Sequence, residues 1–246
     1  MSGAPIGTWQ RRARPLLGTL VEVGCASGAA QAAEAAFAAI AGVQACLSRF
    51  EPGSDVQRFH ALRAGESIAV RPHTAAVLAA AQALHEASDG VFDISLGSAP
   101  DGWRIHEGRW EKRSSDVRID LGGIGKGYAV DCAVSALIAQ GCEAGWVNAG
   151  GDVRAFGDAE VPLQLRDEAS GGVRPFATLR DGAFATSHFD RCSRSRIASA
   201  AAARPAHVSV AAPLCLWADA LTKVVTLSGD TSHPLLARFE ARAWLH

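Results

Sequence analysis

Apolar positions in this chain first alternate and then settle into helical spacing. Leu16 to Val23 alternates around Gly18-Thr19 and predicts a strand. Ala29 to Leu47 puts Ala33, Phe37, Ile40, Val43 and Leu47 on one face, the stripe of an amphipathic helix. Ser54-Asp55 offers a cap for a short helix through Leu62, and His73 to Ala87 predicts another, closed by Ser88-Asp89-Gly90. Val91 to Ile94 returns to a β pattern. Asp116 to Asp120 reads as a short strand running into a glycine-rich turn, then a helix from about Tyr128 to Gln140 stopped by Gly141. Trp146 to Asn148 is a strand, and a β-rich stretch extends to Val210. The last clear helix is Cys215 to Leu227, ended by Gly229. Residues 191–205, polar and then alanine-rich, read as a variable loop. Strands and helices do not alternate strictly, so the pattern predicts an α+β fold of mixed or antiparallel sheets packed with helices. No internal repeat or linker divides residues 1–246, which read as one domain.

Composition narrows the function classes. With 24 basic and 25 acidic residues the formal charge is −1, and no long basic run exists, which argues against nucleic acid or an anionic membrane as the main partner. Hydrophobic residues make up 48%, enough for a core. No stretch reaches the roughly 18 apolar residues of a membrane span. Arg11, Arg12 and Arg14 precede an apolar run, as in an export signal, but Glu22 interrupts it. A cytoplasmic location is the expectation. The six cysteines show no metal-finger spacing and read as reduced, mostly buried thiols.

Lysine is rare: only Lys112, Lys126 and Lys223 occur among the 24 basic residues. Surface cations here are written as arginine, so a retained lysine hints that a compact ammonium is wanted. Lys126 lies in Asp120-Leu-Gly-Gly-Ile-Gly-Lys-Gly-Tyr-Ala-Val-Asp131, a strand, glycine-rich turn and helix start. Glycine N–H groups and the helix dipole suit an anion such as phosphate there. The segment matches neither a Walker loop nor GxGxxG, and a merely tight strand-to-helix connection would look the same. Lys223 lies on the last helix, where Asp219, Thr222, Lys223 and Thr226 form one polar stripe. That stripe predicts either a solvent face with an Asp–Lys pair or a helix lining a polar cavity.

Taken in order, the motifs resemble the ApbE family of Mg²⁺-dependent FAD:protein FMN transferases. The matching segments are Leu17-Gly-Thr19, the stretch from Leu47 to Phe59, Gly90-Val-Phe-Asp93, Asp120 to Asp131, Asn148-Ala-Gly-Gly-Asp152, Ala185-Thr-Ser187 and Ala218-Asp-Ala-Leu221. The resemblance implies a T-fold-like α+β architecture. It also implies an enzyme that binds FAD, transfers FMN to a Thr or Ser of an acceptor flavoprotein of the redox-complex subunit type, and releases AMP. Carried over by position, Leu17, Phe50, Val91, Phe92, Asp93, Asp120 and Lys126 would contact FAD. Gly123, through its carbonyl, and Asp219 would hold Mg²⁺, and Asp219 with Lys223 would carry the catalysis.

Two departures qualify this. The family's second metal-binding side chain, a Thr four residues after the Asp, is Lys223 here. The family's histidine-containing segment aligns with Arg196-Ile-Ala-Ser-Ala-Ala-Ala-Ala-Arg-Pro205, which has neither the His nor its Asp-Pro. Lys223 would then weaken or replace the Mg²⁺ requirement. Two other readings follow: a catalytically degenerate flavin-binding or assembly protein, and a free FAD pyrophosphatase. His188 follows Thr186-Ser187 in a matching segment and is the histidine to watch, while His60, His73, His85 and His106 carry no assigned role.

Overall fold

A computed structural model describes residues 9–26, 29–166, 172–189 and 206–246. The expected variable loop at 191–205, the departing segment Arg196 to Pro205 and Cys192 lie outside them. The chain opens with strands β1 (Trp9–Leu16) and β2 (Thr19–Ala26), followed by helices α1 (Ala30–Leu47) and α2 (Asp55–His60). Strand β3 (Ser67–Ala69) leads to α3 (Pro72–Ala87), then β4 (Trp103–His106) and β5 (Arg109–Lys112). Helix α4 (Gly125–Ala139) precedes β6 (Gly145–Ala149), β7 (Asp152–Arg166), β8 (Val173–Phe189) and β9 (Ala206–Ala212). Helices α5 (Cys215–Ser228) and α6 (Pro234–Arg238) and strand β10 (Arg242–Leu245) complete the chain.

Seven strands form an antiparallel sheet in the order β1-β2-β6-β7-β8-β9-β10, and β3-β5-β4 make a second, small sheet. The α+β expectation holds. Helix α1 packs on α4 and α4 on α5, and each rests on strands beneath it: α1 on β1 and β2, α4 on β6 and β7, α5 on β8 and β9. The alternation of a strand assigns its two faces: Ala183 and Ala185 enter the main core, while Phe184 joins a second cluster with Val153 and Leu179. By length and composition α1 would be apolar enough to cross a membrane, contrary to expectation, but Phe37, Ile40, Val43 and Leu47 are buried in the core as its stripe predicts.

Three readings change. Leu16 to Val23 is not one strand but a hairpin, with Leu17 (φ 55°) and Gly18 (φ 71°) as a two-residue loop between paired Leu16 and Thr19. Two left-handed residues match the right-handed twist of flanking strands, and the Leu17 N–H donates to Gln44 Oε1 at 2.7 Å. Val91 to Ile94 is a run of bends and turns. Asp116 to Asp120 ends in chain outside any sheet: the Arg118 N–H donates to Ser98 Oγ, that of Ile119 to His60 Nε2 and that of Asp120 to the Ile94 carbonyl.

Asp55 ties the α1–α3 region together. Its fully buried carboxylate accepts from Thr74 Oγ1 (2.6 Å), the Arg71 N–H (2.9 Å) and Nε (3.1 Å), and Arg58 Nη1 (3.0 Å). Burial would raise its pKa, but the Thr74 hydroxyl and Arg71 outweigh that and hold it below the ordinary value. Its stabilising contribution is therefore present above the unfolded carboxyl's pKa and lost as pH falls through the depressed folded one. Asp55→Ala is expected to cost about 3 kcal/mol in urea unfolding at neutral pH, with the deficit shrinking in acid.

Candidate active site

Helices α4 and α5 cross at close range, and their crossing makes the site. Gly127 permits it: a Cβ there would lie 2.2 Å from the Cys215 carbonyl oxygen and 2.9 Å from Asp219 Cβ. Asp131, one turn further along α4, holds the start of α5. Its carboxylate accepts the N–H groups of Cys215 (3.0 Å) and Leu216 (2.9 Å), orphan donors of the α5 first turn, and receives Arg154 Nη1 at 2.8 Å.

Upstream, the Gly122 N–H donates to Asp120 Oδ1 at 2.8 Å, and the helix begins at Gly125, three residues before the expected Tyr128. Lys126, in the first turn, pairs with Asp152 at the start of β7. On α5 the polar stripe faces inward rather than to solvent: Asp219 and Thr222 are 0% exposed and Lys223 7%, with Thr226 half-buried. Lys223 Nζ donates to Asp219 Oδ1 (2.5 Å), the Asp219 carbonyl (3.1 Å) and Ser187 Oγ of β8 (3.2 Å). Thr222 Oγ1 donates to the Asp219 carbonyl at 2.7 Å and shares a 2.8 Å hydrogen bond with Ser187 Oγ. The Gly127 N–H reaches Asp219 Oδ2 at 3.2 Å.

Two carboxylates and two ammoniums thus alternate between α4, α5 and β7. Burial pushes the Asp152 carboxyl up, to about 6, against the pull of Lys126. Burial would do the same to Asp219, but Lys223 and Lys126 reverse it and hold that carboxyl below the ordinary range. Burial works against the Lys126 ammonium, and Asp152 and Asp219 overcome it, so Lys126 stays charged beyond the ordinary lysine range.

Two cavities share the glycine-rich wall. One, of about 340 Å³, is lined by Leu17, Val91, Phe92, Asp93, Asp120, Gly123, Lys126, Ser187 and Lys223 among others. The second, of about 370 Å³, lies between α1 and the glycine-rich turn, lined by Leu17, Val43, Leu47, Arg49, Phe50, Asp120 and Lys126. Phe50 stands at its rim, 77% exposed, with the Arg49 guanidinium 4.5 Å from its ring centroid. Most of the residues singled out in the sequence therefore converge, while Asp219 lies behind Lys223. Asp93 is committed locally: its carboxylate accepts from the Ser95 N–H and hydroxyl and the Gly97 N–H, at 2.7 to 2.8 Å. Asp152 and Ser187 lie within matching segments, but the sequence assigns them no role; their contacts with Lys126 and Lys223 cross between distant segments. His188 pairs with His207 across β8 and β9.

Gly123 and Asp219 do come together, but around an ammonium rather than an open coordination site. The Lys223 stem lies over Gly123, with Cε 2.9 Å from where a Cβ would stand, and Nζ already occupies Asp219 Oδ1. Among the described residues no group of three His, Cys, Asp or Glu side chains is placed to hold a metal ion. The donor set as built does not fit a divalent cation.

Comparison with known proteins agrees with this architecture. An FAD:protein FMN transferase of Rhodobacter capsulatus is 29% identical over 222 residues, covering 72% of this chain and 42% of that protein. One from Chlamydia pneumoniae is 24% identical over 248 residues, covering 82% of this chain and 76% of that protein. The chain thus spans less than half of the first relative's length. The fold matches that of the ApbE protein of Thermotoga maritima (TM-score 0.83, 22% identity, 97% of this chain and 94% of that one). It also matches apo flavinyl transferase ApbE of Pseudomonas stutzeri (TM-score 0.82, 21% identity, 97% and 90%). The sequence model of the ApbE family matches residues 17–112 and 105–244, and on that match the chain belongs to the ApbE family.

Proposed function

We propose that this chain binds FAD across the two adjoining cavities and transfers its FMN moiety to a Ser or Thr hydroxyl of an acceptor flavoprotein, releasing AMP. One observation carries the reading: two cations, Lys126 on α4 and Lys223 on α5, line the same cavity beside the glycine-rich start of α4. A dinucleotide joins two flat ring systems through a doubly charged pyrophosphate. That shape asks for cations and N–H groups at its middle and apolar walls at its ends, which the polar and the Val43–Leu47–Phe50 cavities supply. The two relatives named FAD:protein FMN transferase support the same chemistry.

In this reading Lys126 binds the anhydride oxygens, with Asp152 fixing the direction of its ammonium. Gly122 and Gly123, before α4, line the cavity and let the phosphates come close to the backbone of the turn. The acceptor oxygen bonds to the flavin-side phosphorus, the anhydride P–O bond breaks, AMP leaves with the electron pair, and the hydroxyl proton is released. Charge accumulating on the bridging oxygen is countered by the two ammoniums, already fixed before the reaction begins.

The test is incubation with FAD and a candidate acceptor flavoprotein, followed by chromatography of nucleotides and mass spectrometry of the acceptor. FMN covalently attached to the acceptor with matching AMP is the expected result. AMP with only free FMN would make the protein a pyrophosphatase. Bound FAD that stays intact with a competent acceptor would make it a flavin carrier.

A further inference from the structure

We infer that this chain carries the cation of its phosphate site as a side chain: Lys223 fills the place at Asp219 where a divalent ion would sit, and FAD is held without metal. The inference rests on the FAD reading for its ligand, but the exclusion of metal stands on the geometry alone.

Three observations support it. First, the ammonium is positioned by the fold, with two of its three contacts to Asp219, at 2.5 Å (Oδ1) and 3.1 Å (carbonyl). Second, the stem occupies volume as well as charge. Its Cγ, Cδ and Cε lie 2.9 to 3.5 Å from where a Gly123 Cβ would stand, so the space over Gly123 is filled by methylenes. An ion on Asp219 Oδ1 would have to displace the ammonium or accept a fixed positive charge as its neighbour. Third, the remaining contact is exchangeable. Ser187 Oγ, at 3.2 Å, is a neutral acceptor lining the same cavity as Lys126, and it already has Thr222 Oγ1 as a partner at 2.8 Å. A phosphate oxygen replacing Ser187 as acceptor would gain a charge-assisted bond and leave no donor or acceptor stranded.

The consequence is a changed charge balance. With Lys126, Lys223, Asp152 and Asp219 all ionised, the cluster is neutral, whereas an Asp-bound divalent ion without Lys223 would leave it positive. Pyrophosphate recognition then depends on directed N–H donors more than on net charge, and so on Lys223 staying where Asp219 and Gly123 place it.

The experiment has two arms. In the first, Mn²⁺ binding to the flavin-free protein is followed by electron paramagnetic resonance. Wild type should bind none at this site, and Lys223→Thr should bind one ion that disappears when Asp219→Asn is added. In the second, FAD is titrated in Mg²⁺ and in chelator. Wild-type affinity should agree within about twofold, whereas Lys223→Thr should lose about tenfold or more in chelator. Lys223→Met keeps the stem over Gly123 without the charge, and should lose about tenfold in affinity under both conditions. Mn²⁺ on the wild type that Asp219→Asn removes, or wild-type FAD affinity that rises tenfold with Mg²⁺, overturns the inference. Absence of FAD binding under every condition would overturn the flavin reading instead, and the Mn²⁺ arm would still decide whether Lys223 excludes the ion.

Discussion

Lys126→Met is expected to lower affinity for FAD by about 100-fold. The ammonium lies on the wall common to both cavities, and a hydrogen bond from a charged donor to phosphate contributes about 1.5–3 kcal/mol, or roughly 10- to 150-fold. The same change strands the Asp152 carboxylate, which is 1% exposed and has Lys126 as its ion-pair partner. Its pKa, already pushed up to about 6 by burial, then rises further and the group takes a proton, which limits the loss of folding stability. Binding and folding are therefore separable. Flavin fluorescence should report the affinity loss at a temperature where the melting curve shows the variant folded. Unchanged affinity in a folded Lys126→Met would mean that the ammonium does not face the phosphates.

Gly127→Ala is expected to destabilise the protein by about 2 kcal/mol and to weaken FAD binding with it. Two effects oppose each other. Alanine in a helix is worth about 1 kcal/mol over glycine, but the added methyl would meet a backbone oxygen at 2.2 Å, and overpacking of this kind costs about 1–3 kcal/mol or more. Backbone cannot rotate away as a side-chain tip can, so the clash wins and α4 and α5 separate. That separation moves Asp219 and Lys223 relative to Lys126. Gly42→Ala is the matched control. Gly42 is also helical, exposed on α1, and its nearest added contact is His73 Nε2 at 4.0 Å, so only the propensity gain of about 0.5–1 kcal/mol should appear. Urea unfolding of the pair should give opposite signs. A Gly127→Ala protein as stable as wild type would show that the helix crossing tolerates a side chain.

How much of this was legible in the sequence varies with the range of the interaction. Helices α1, α3, α4 and α5 were readable because each carries a core stripe over several turns, and Ser54 caps α2 by accepting the Gln57 N–H. The β1–β2 hairpin was hidden because Leu17-Gly18 continues the apolar run through the turn and lacks the Asn-Gly or Asp-Gly signal. Strands β3, β4 and β5 are only three or four residues long and lean on anchors such as Trp103 and the fully buried Trp110. Periodicity has nothing to act on there.

The site shows the same division. Spacing put Asp219, Thr222 and Lys223 on one stripe, but whether that stripe met water or a cavity depended on Gly127, Ser187 and Asp152, all distant in sequence. Asp93 shows the opposite limit. Its motif aligned with a ligand contact, whereas its carboxylate is spent on the turn that follows it. The resemblance gathered the candidate residues, and the contacts between segments set what each charge touches.

The most direct test of the central claim is an FAD titration of the purified chain in chelator, read by flavin fluorescence and by separation of bound from free nucleotide. Saturable binding of one FAD per chain, competed by ADP and weakened in Lys126→Met, is the predicted result. Absence of saturable binding, or binding that Lys126→Met leaves untouched, would contradict it.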